Sequence, residues 1–297
     1  MRTLVHLSDL HFGSSRRTLV EPLLDALRQI RPSLIAVSGD LTQRARASQF
    51  MEARAFIDSL PGAKVVVPGN HDVPMYRFWE RFLSPLGKFR RYITDDLEPF
   101  YGDEELVVVG VNTAHGMTTK YGRVGAREIG RIRERLCSLP DEVVKVVVTH
   151  HPFDLPEGHD VREIVGRAAE AMEALAACGA DLLLAGHMHL SSTGRTAVRY
   201  KTRGHSALFV QAGTATSTRG RGESNSFNVI RVRHPHVQVE RRVWKPEAGA
   251  FLPSVAETFA HTPDGWERLP DETAAGILFD EESTPLQPSV PAGQVGS

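Results

Sequence analysis

Short apolar runs recur along the chain at 4–7, 34–37, 64–67, 106–111, 143–148, 182–185 and 208–210, and each ends in polar residues. Val, Ile and Leu dominate them without strict alternation, which is how strands buried on both faces read. Helical spacing fills several of the gaps. Leu19, Leu23, Leu24, Leu27 and Ile30 fall near one helix face. The segments 49–60, 126–139 and 161–178 read the same way, with Pro140 and Gly179 as stops. Strand, helix and strand at about 30-residue spacing make βαβ units. Past residue 195 the helical spacing ends, and 227–233 and 237–244 alternate as a hairpin turning at His234-Pro235-His236. The pattern predicts an α/β sandwich with antiparallel strands late in the chain.

The polar residues that close these runs are of a restricted kind. Asp9-Leu10-His11 follows the first, Gly39-Asp40 the second and Gly69-Asn70-His71-Asp72 the third. The fifth ends at His150 and the sixth at Gly186-His187-Met188-His189. Open α/β sheets bind ligands at the carboxyl ends of their strands. In extended backbone, residues two apart point the same way, so Asp9 with His11, and His187 with His189, can reach one cation. Mixed oxygen and nitrogen donors suit Mn, Fe, Zn or Co and suit calcium poorly. Seven candidate ligands exceed one tetrahedral zinc and match two ions sharing a bridging carboxylate, for which Asp40 stands alone at its strand end.

In order and type these blocks resemble the five-block signature of the calcineurin-like metallophosphoesterases. The opening Ser8-Asp9-Leu10-His11-Phe12-Gly13 and the run from Gly69 to Pro74 are most similar to class III cyclic nucleotide phosphodiesterases. The resemblance implies a four-layer αββα sandwich, two mixed sheets flanked by helices, with a dinuclear metal centre. It implies Asp9, His11 and His189 on one ion, Asn70, His150 and His187 on the other, and Asp40 between them. At His150-His151-Pro152 it selects His150, leaving His151 behind the site or facing substrate. It makes His71 the catalytic histidine, with Asp72 able to orient it. The activity implied is hydrolysis of a phosphodiester, such as 3′,5′-cAMP, by in-line attack of a hydroxide bridging the metals. Alternatives sharing this core are hydrolysis of another nucleotide, a pyrophosphate, a phospholipid headgroup or a phosphomonoester. A non-catalytic module would be expected to lack some of these residues.

Substrate contacts are sought in three places. The stretch 75–92 interleaves aromatic residues with cations, among them Arg90 and Arg91. Helical spacing there makes core packing the expected use of Phe78 and Phe82. The small-residue loop after the seventh run carries Arg219 and Arg221, and the loop after the fourth carries His115.

Composition narrows the partners. The 297 residues are 41% hydrophobic and 24% charged, as in a globular protein. With 35 basic and 36 acidic residues the net charge is −1, which disfavours stable nucleic-acid binding. The expected partners are a small phosphodiester, above all a nucleotide, and a second copy in a homodimer. No apolar run approaches the roughly 18 residues of a membrane span, no signal-peptide pattern is visible, and the expected address is cytoplasmic. Cys137 and Cys178 have no CxxC spacing and imply neither a disulfide scaffold nor a zinc ribbon. A phosphoesterase domain is expected over 1–245 and an acidic extension over 246–297, its end from 281 flexible. From Arg195 to Lys245 there are eleven basic and two acidic residues, and beyond it nine acidic and one basic. That asymmetry suggests an extension folded back on the basic region.

Overall fold

The computed structural model describes residues 1–118, 120–200, 206–220, 222–277 and 279. Seven strands form the first sheet. β1 (Arg2–Leu7), β2 (Leu34–Ser38) and β3 (Ala63–Val67) run parallel at one side. The second sheet holds β4 (Phe100–Gly102), β5 (Leu106–Gly110), β6 (Val144–Val148), β7 (Leu182–Ala185), β8 (Ser192–Arg195) and β9 (Leu208–Gln211). Its order is β4-β5-β6-β7-β9-β8, parallel except at the two edges. β10 (Ser226–Arg233) then returns antiparallel to β1, and β11 (His236–Lys245), β12 (Ala250–Thr262) and β13 (Gly265–Arg268) extend the first sheet as a meander. All seven apolar runs are strands.

Alternate residues of these strands enter different cores, which is why the runs lack polar alternation. Leu4, Leu34 and Val65 meet Val108, Val146 and Leu184 between the sheets. Their neighbours Val5, Ile35 and Val66 face α1 (Val20–Ile30) and α2 (Ala47–Ser59). Two short helices, α3 (Phe78–Leu83) and α4 (Gly87–Tyr92), follow β3. On the far side Val107, Val147 and Leu183 face α5 (Ala126–Leu136) and α6 (Ala168–Ala177), and a short α7 (Asp271–Ala274) follows β13. Three cores separate four layers, the αββα sandwich that the resemblance implies.

Four features differ from the sequence expectations. The segment after 245 supplies β12 and β13 to the first sheet, and Phe259 and Trp266 are buried in the inter-sheet core. Glu267 of β13 lies 3.6 Å from Arg195, so an acidic residue past 246 does meet the basic stretch; the segment from 281 lies outside the described residues. Cys137 and Cys178 form a disulfide, because they cap the adjacent C-terminal ends of α5 and α6. The 161–178 helix begins only at Ala168, after a 3-10 turn at Val161–Glu163. Finally, Phe78 and Phe82 are exposed, since α3 has six residues and buries only Arg81. Among the described residues no helix is long and apolar enough to cross a membrane.

At the sheet end remote from the polar blocks, Asp181 holds the two sheets together. It accepts from the Trp266 indole at 2.8 Å and the Lys145 amide at 2.7 Å. Burial, opposed by these donors, pushes its carboxyl up to about 6. A carboxyl whose folded pKa is raised stabilises the fold below its unfolded pKa, and that stability is lost as pH rises through the folded value. The stability of the wild type relative to Asp181→Asn should therefore fall by about 2 kcal/mol between pH 4 and 7. Urea unfolding at several pH values checks this, and a pH-independent difference would refute it.

Candidate metal centre

Every polar block sits where a strand ends. Asp9 and His11 follow β1, Asp40 follows β2, Asn70 follows β3, His150 follows β6, and His187 and His189 follow β7. The first four come from one sheet and the last three from the other. Five of them, Asp9, His11, Asp40, His187 and His189, have φ between +48° and +68°. They therefore do not lie in extended backbone; each pair converges by passing through left-handed turns. A non-glycine residue held there costs about 1–3 kcal/mol and persists only where surrounding structure imposes it. Close approach of the turns demands glycine at two points. A Cβ on Gly69 would stand 2.2 Å from Asp40 Oδ1, and one on Gly186 would stand 1.8 Å from Ser8 Oγ.

The side chains form two groups that share one carboxylate. In the first, Asp9 Oδ1 lies 3.1 Å from His189 Nε2 and 3.5 Å from His11 Nε2. His11 Nε2 lies 3.2 Å from His189 Nε2 and 3.6 Å from Asp40 Oδ2. In the second, His150 Nε2 lies 3.4 Å from Asp40 Oδ1 and 3.1 Å from Asn70 Oδ1. His187 Nδ1 is 3.1 Å from the same Asn70 oxygen. The two oxygens of Asp40 thus face different groups.

These donors suit cations. The atoms of Asp9, His11, Asp40 and His189 all lie within 4.8 Å of one another, and Asp9 Oδ1 is buried with no hydrogen-bond partner. Outer partners aim the inner atoms. His150 Nδ1 donates to the Ser38 carbonyl at 2.8 Å and His189 Nδ1 to the Arg219 carbonyl at 2.9 Å, which leaves each Nε2 free to coordinate. Ser8 Oγ and the His187 amide donate to Asp9 Oδ2 at 2.6 and 3.0 Å. Burial would raise the Asp40 carboxyl, but His150 and His11 hold it well below the usual carboxylate range. Burial likewise opposes charge on His150, yet Asp40 lifts that imidazole to about 9. Burial and then the charge of His150 push His187 down to about 4.

His71 stands at the edge of both groups. Its Nδ1 donates to the Gln43 carbonyl at 2.8 Å, and its Nε2 accepts from Arg219 Nη1 at 3.1 Å. The orienting partner is thus Gln43, not Asp72. The Asp72 carboxylate instead accepts from the amides of Leu41, Thr42 and Gly69 at 3.1, 2.9 and 2.9 Å. It braces the Asp40 turn against the Asn70 turn.

A cleft of about 360 Å³ opens here, lined by Asp40, Asn70, His71, Met75, Lys120, His187, His189 and Arg219. Of the expected substrate contacts among the described residues, only Arg219 belongs to it. His151 is buried against His150 and His187, its ring 4.8 Å from each and close enough to form a metal-holding group with them, but its Nδ1 meets Thr113 Oγ1 and its Nε2 the Lys120 carbonyl at 2.8 and 3.0 Å. His115 is turned to the Arg123 carbonyl at 2.9 Å. Arg90 donates to the Asp95 carbonyl at 2.9 Å, and Arg91 lies over Tyr92. Arg221 lies outside the described residues. Lys120 is the residue that sequence reasoning missed; it is one of two cations, with Arg123, in the loop after β5, and nothing in the sequence sets it apart. It pairs with Glu163, whose Oε2 is 3.4 Å from His187 Nε2.

The family model for the calcineurin-like phosphoesterases matches residues 2–191. The chain belongs to this family. The Asp9, His11, Asp40 and His189 group is able to hold a metal ion. A glycerophosphodiester phosphodiesterase, GpdQ of Enterobacter lignolyticus (strain SCF1), is 33% identical over 81 residues, and the match covers 23% of this chain and 29% of that protein. Two solved structures share the phosphoesterase fold. A dimetal phosphatase from Danio rerio has a TM-score of 0.59 at 13% identity, covering 85% of this chain and 98% of the other. The purple acid phosphatase PPD1 from yellow lupin (Lupinus luteus) seeds has a TM-score of 0.62 at 13% identity, covering 86% and 53%.

The chain should load metal through His150 and not through its neighbour. His150→Ala should lose at least one bound Mn per chain, whereas His151→Gln should keep full content. Elemental analysis after gel filtration decides, and the reverse pattern would exchange the two roles.

Proposed function

We propose that the protein is a phosphodiesterase working with two divalent ions, one held by Asp9, His11, His189 and Asp40 and the other by Asp40, Asn70, His150 and His187. The single observation that carries this reading is the shared Asp40 carboxylate, with an unligated histidine and two cations beside it. When bound, the ions supply positive charge at the phosphoryl oxygens and lower the pKa of a nucleophilic water. The chain's own residues do the remaining work. Arg219 and Lys120 line the cleft and bind the non-bridging oxygens of the phosphate. Arg219 reaches substrate by exchanging its hydrogen bond with His71 for one with the phosphate. The Gln43 carbonyl fixes the His71 tautomer, so Nε2 faces the cleft. Once protonated, that nitrogen gives its proton to the leaving oxygen as the ester bond breaks.

A cyclic nucleotide such as 3′,5′-cAMP is the proposed substrate, on the resemblance of the blocks at 8–13 and 69–74. The partial match to a glycerophosphodiester phosphodiesterase supports diester chemistry and places glycerophosphodiesters on the same panel.

The first experiment is turnover of bis-p-nitrophenyl phosphate by metal-stripped protein given Mn, Fe, Co or Zn, with Asp40→Ala as the inactive control. His71→Ala should retain its metals and lose kcat on cAMP by about 100- to 10,000-fold. The loss should be smaller on the p-nitrophenyl ester, whose leaving group needs little protonation. Equal losses would make His71 a charge stabiliser and not an acid. Arg219→Ala should raise KM more than it lowers kcat. A clear preference for p-nitrophenyl phosphate over every diester would overturn the diesterase reading.

A further inference from the structure

A short aromatic helix stands beside the cleft. Phe78, Trp79 and Phe82 of α3 are 64%, 73% and 44% exposed. Their rings form one cluster, Phe78 lying 5.5 Å from Trp79 and 4.7 Å from Phe82. Tyr76 and Leu83 extend the patch at either end, 74% and 77% exposed. Arg81, the one buried side chain of α3, donates to the carbonyls of Pro74 and Thr118 at 3.2 and 2.6 Å. It fastens to α3 the loop that carries Met117, which is 82% exposed. Single exposed apolar residues are ordinary, whereas a contiguous group marks an interaction surface.

Charge and shape select the occupant. Between 75 and 92 there are five basic residues, Arg77, Arg81, Lys88, Arg90 and Arg91, and one acidic residue, Glu80. Glu80 is shared by Arg77 and Lys88, so positive charge remains in excess. A second copy related by a twofold axis would set this patch against itself and bring like charges together. The aromatic side chains protrude from a six-residue helix and a loop tip; they do not line a groove that would seat a peptide. Protruding Trp, Tyr and Phe beside excess Lys and Arg suit the interface of an anionic bilayer, where rings enter the headgroup level and cations meet phosphate.

We propose that this face docks on anionic phospholipid bilayers, with Phe78, Trp79, Phe82 and Met117 entering the interface and the neighbouring cations meeting lipid phosphates. Met75, between α3 and His71, lines the cleft, so the cleft opens beside the docked surface. The inference concerns where the protein sits and is independent of which ester it cleaves.

Flotation of the full chain with two kinds of vesicle tests it: phosphatidylcholine alone, and phosphatidylcholine with an equal part of phosphatidylglycerol. Binding is expected to the second only, weakening as salt is raised. Trp79→Ser combined with Phe82→Ser should weaken it about tenfold or more, with turnover of soluble bis-p-nitrophenyl phosphate unchanged. Trp79 is the one strongly exposed tryptophan, so vesicle addition should shift the wild-type emission to the blue and leave the variant unmoved. Four results would overturn the proposal: no difference between the two vesicles; a change of oligomeric state in the variant without vesicle binding, which makes a second copy the occupant; capture of poly-glutamate in place of vesicles, which makes it an acidic polypeptide; and binding that appears only after residues 280–297 are removed, which makes it the chain's own end. Metal-dependent turnover is read on the same samples, so a docking failure with intact turnover leaves the proposed activity standing.

Discussion

The site depends on one carboxylate placed against the grain of its backbone. Asp40 sits at φ +50° so that its two oxygens point to His11 and His150, residues of different sheets. That conformation is disfavoured for any side chain, and the surroundings enforce it. The His71 amide donates to Asp40 Oδ1 at 2.8 Å. Asp72, buried behind it, takes the next two amides of the same turn and the amide of Gly69. Burial and the nearby charge of Asp40 push the Asp72 carboxyl up to about 6, against the pull of those amides. Two acidic residues therefore oppose each other electrostatically while one holds the other in place. The arrangement suits cations, since positive charge relieves the repulsion that burial intensifies.

Because the candidate ligands come from both sheets, their spacing is a property of the inter-sheet core. Packed sheets lie about 10 Å apart, and side chains on their inner faces set that distance. Leu34 and Val65 on one side and Val146 and Leu184 on the other are fully buried. The Trp266–Asp181 hydrogen bond ties the sheets at the opposite end. That bond uses β13, so the chain beyond 245 contributes to the frame that carries the metal groups. Rigid support of this kind is what lets strained turns persist at a functional site.

Seven strands were legible because burial on both faces leaves a continuous apolar run, and the blocks were legible because they terminate those runs. β10 and β11 were legible from alternation instead. The remaining strands carry neither signature. β4 and β8 are three- and four-residue edge strands with no apolar run. β12 carries Pro253 and a string of exposed residues. The disulfide joins residues 41 apart whose only link is that two helices end side by side. The aromatic spacing around α3 misled for a related reason: periodicity reports which side chains share a face, and nothing in it says that the face is covered.

Neighbours in sequence misled more than neighbours in space, and the backbone explains why. Asn70, His71 and Asp72 form a single 3-10 turn, with about three residues per turn, so successive side chains diverge by roughly 120°. Asn70 accordingly reaches the second ligand group, His71 the cleft, and Asp72 the protein interior. Adjacency to His71 made Asp72 look like its orienting partner, yet the turn that delivers one to the cleft removes the other from it. The Gln43 carbonyl, 28 residues away in sequence, takes the place instead. Just past the end of β6, adjacent histidines likewise take different partners although their rings are 4.8 Å apart. His150 faces Asp40, and His151 turns back to Thr113 and the Lys120 carbonyl. His151 stands against the rings of His150 and His187, 4.8 Å from each, yet uses both nitrogens on Thr113 and the Lys120 carbonyl, so a histidine beside the second ligand group fixes the loop whose lysine enters the cleft.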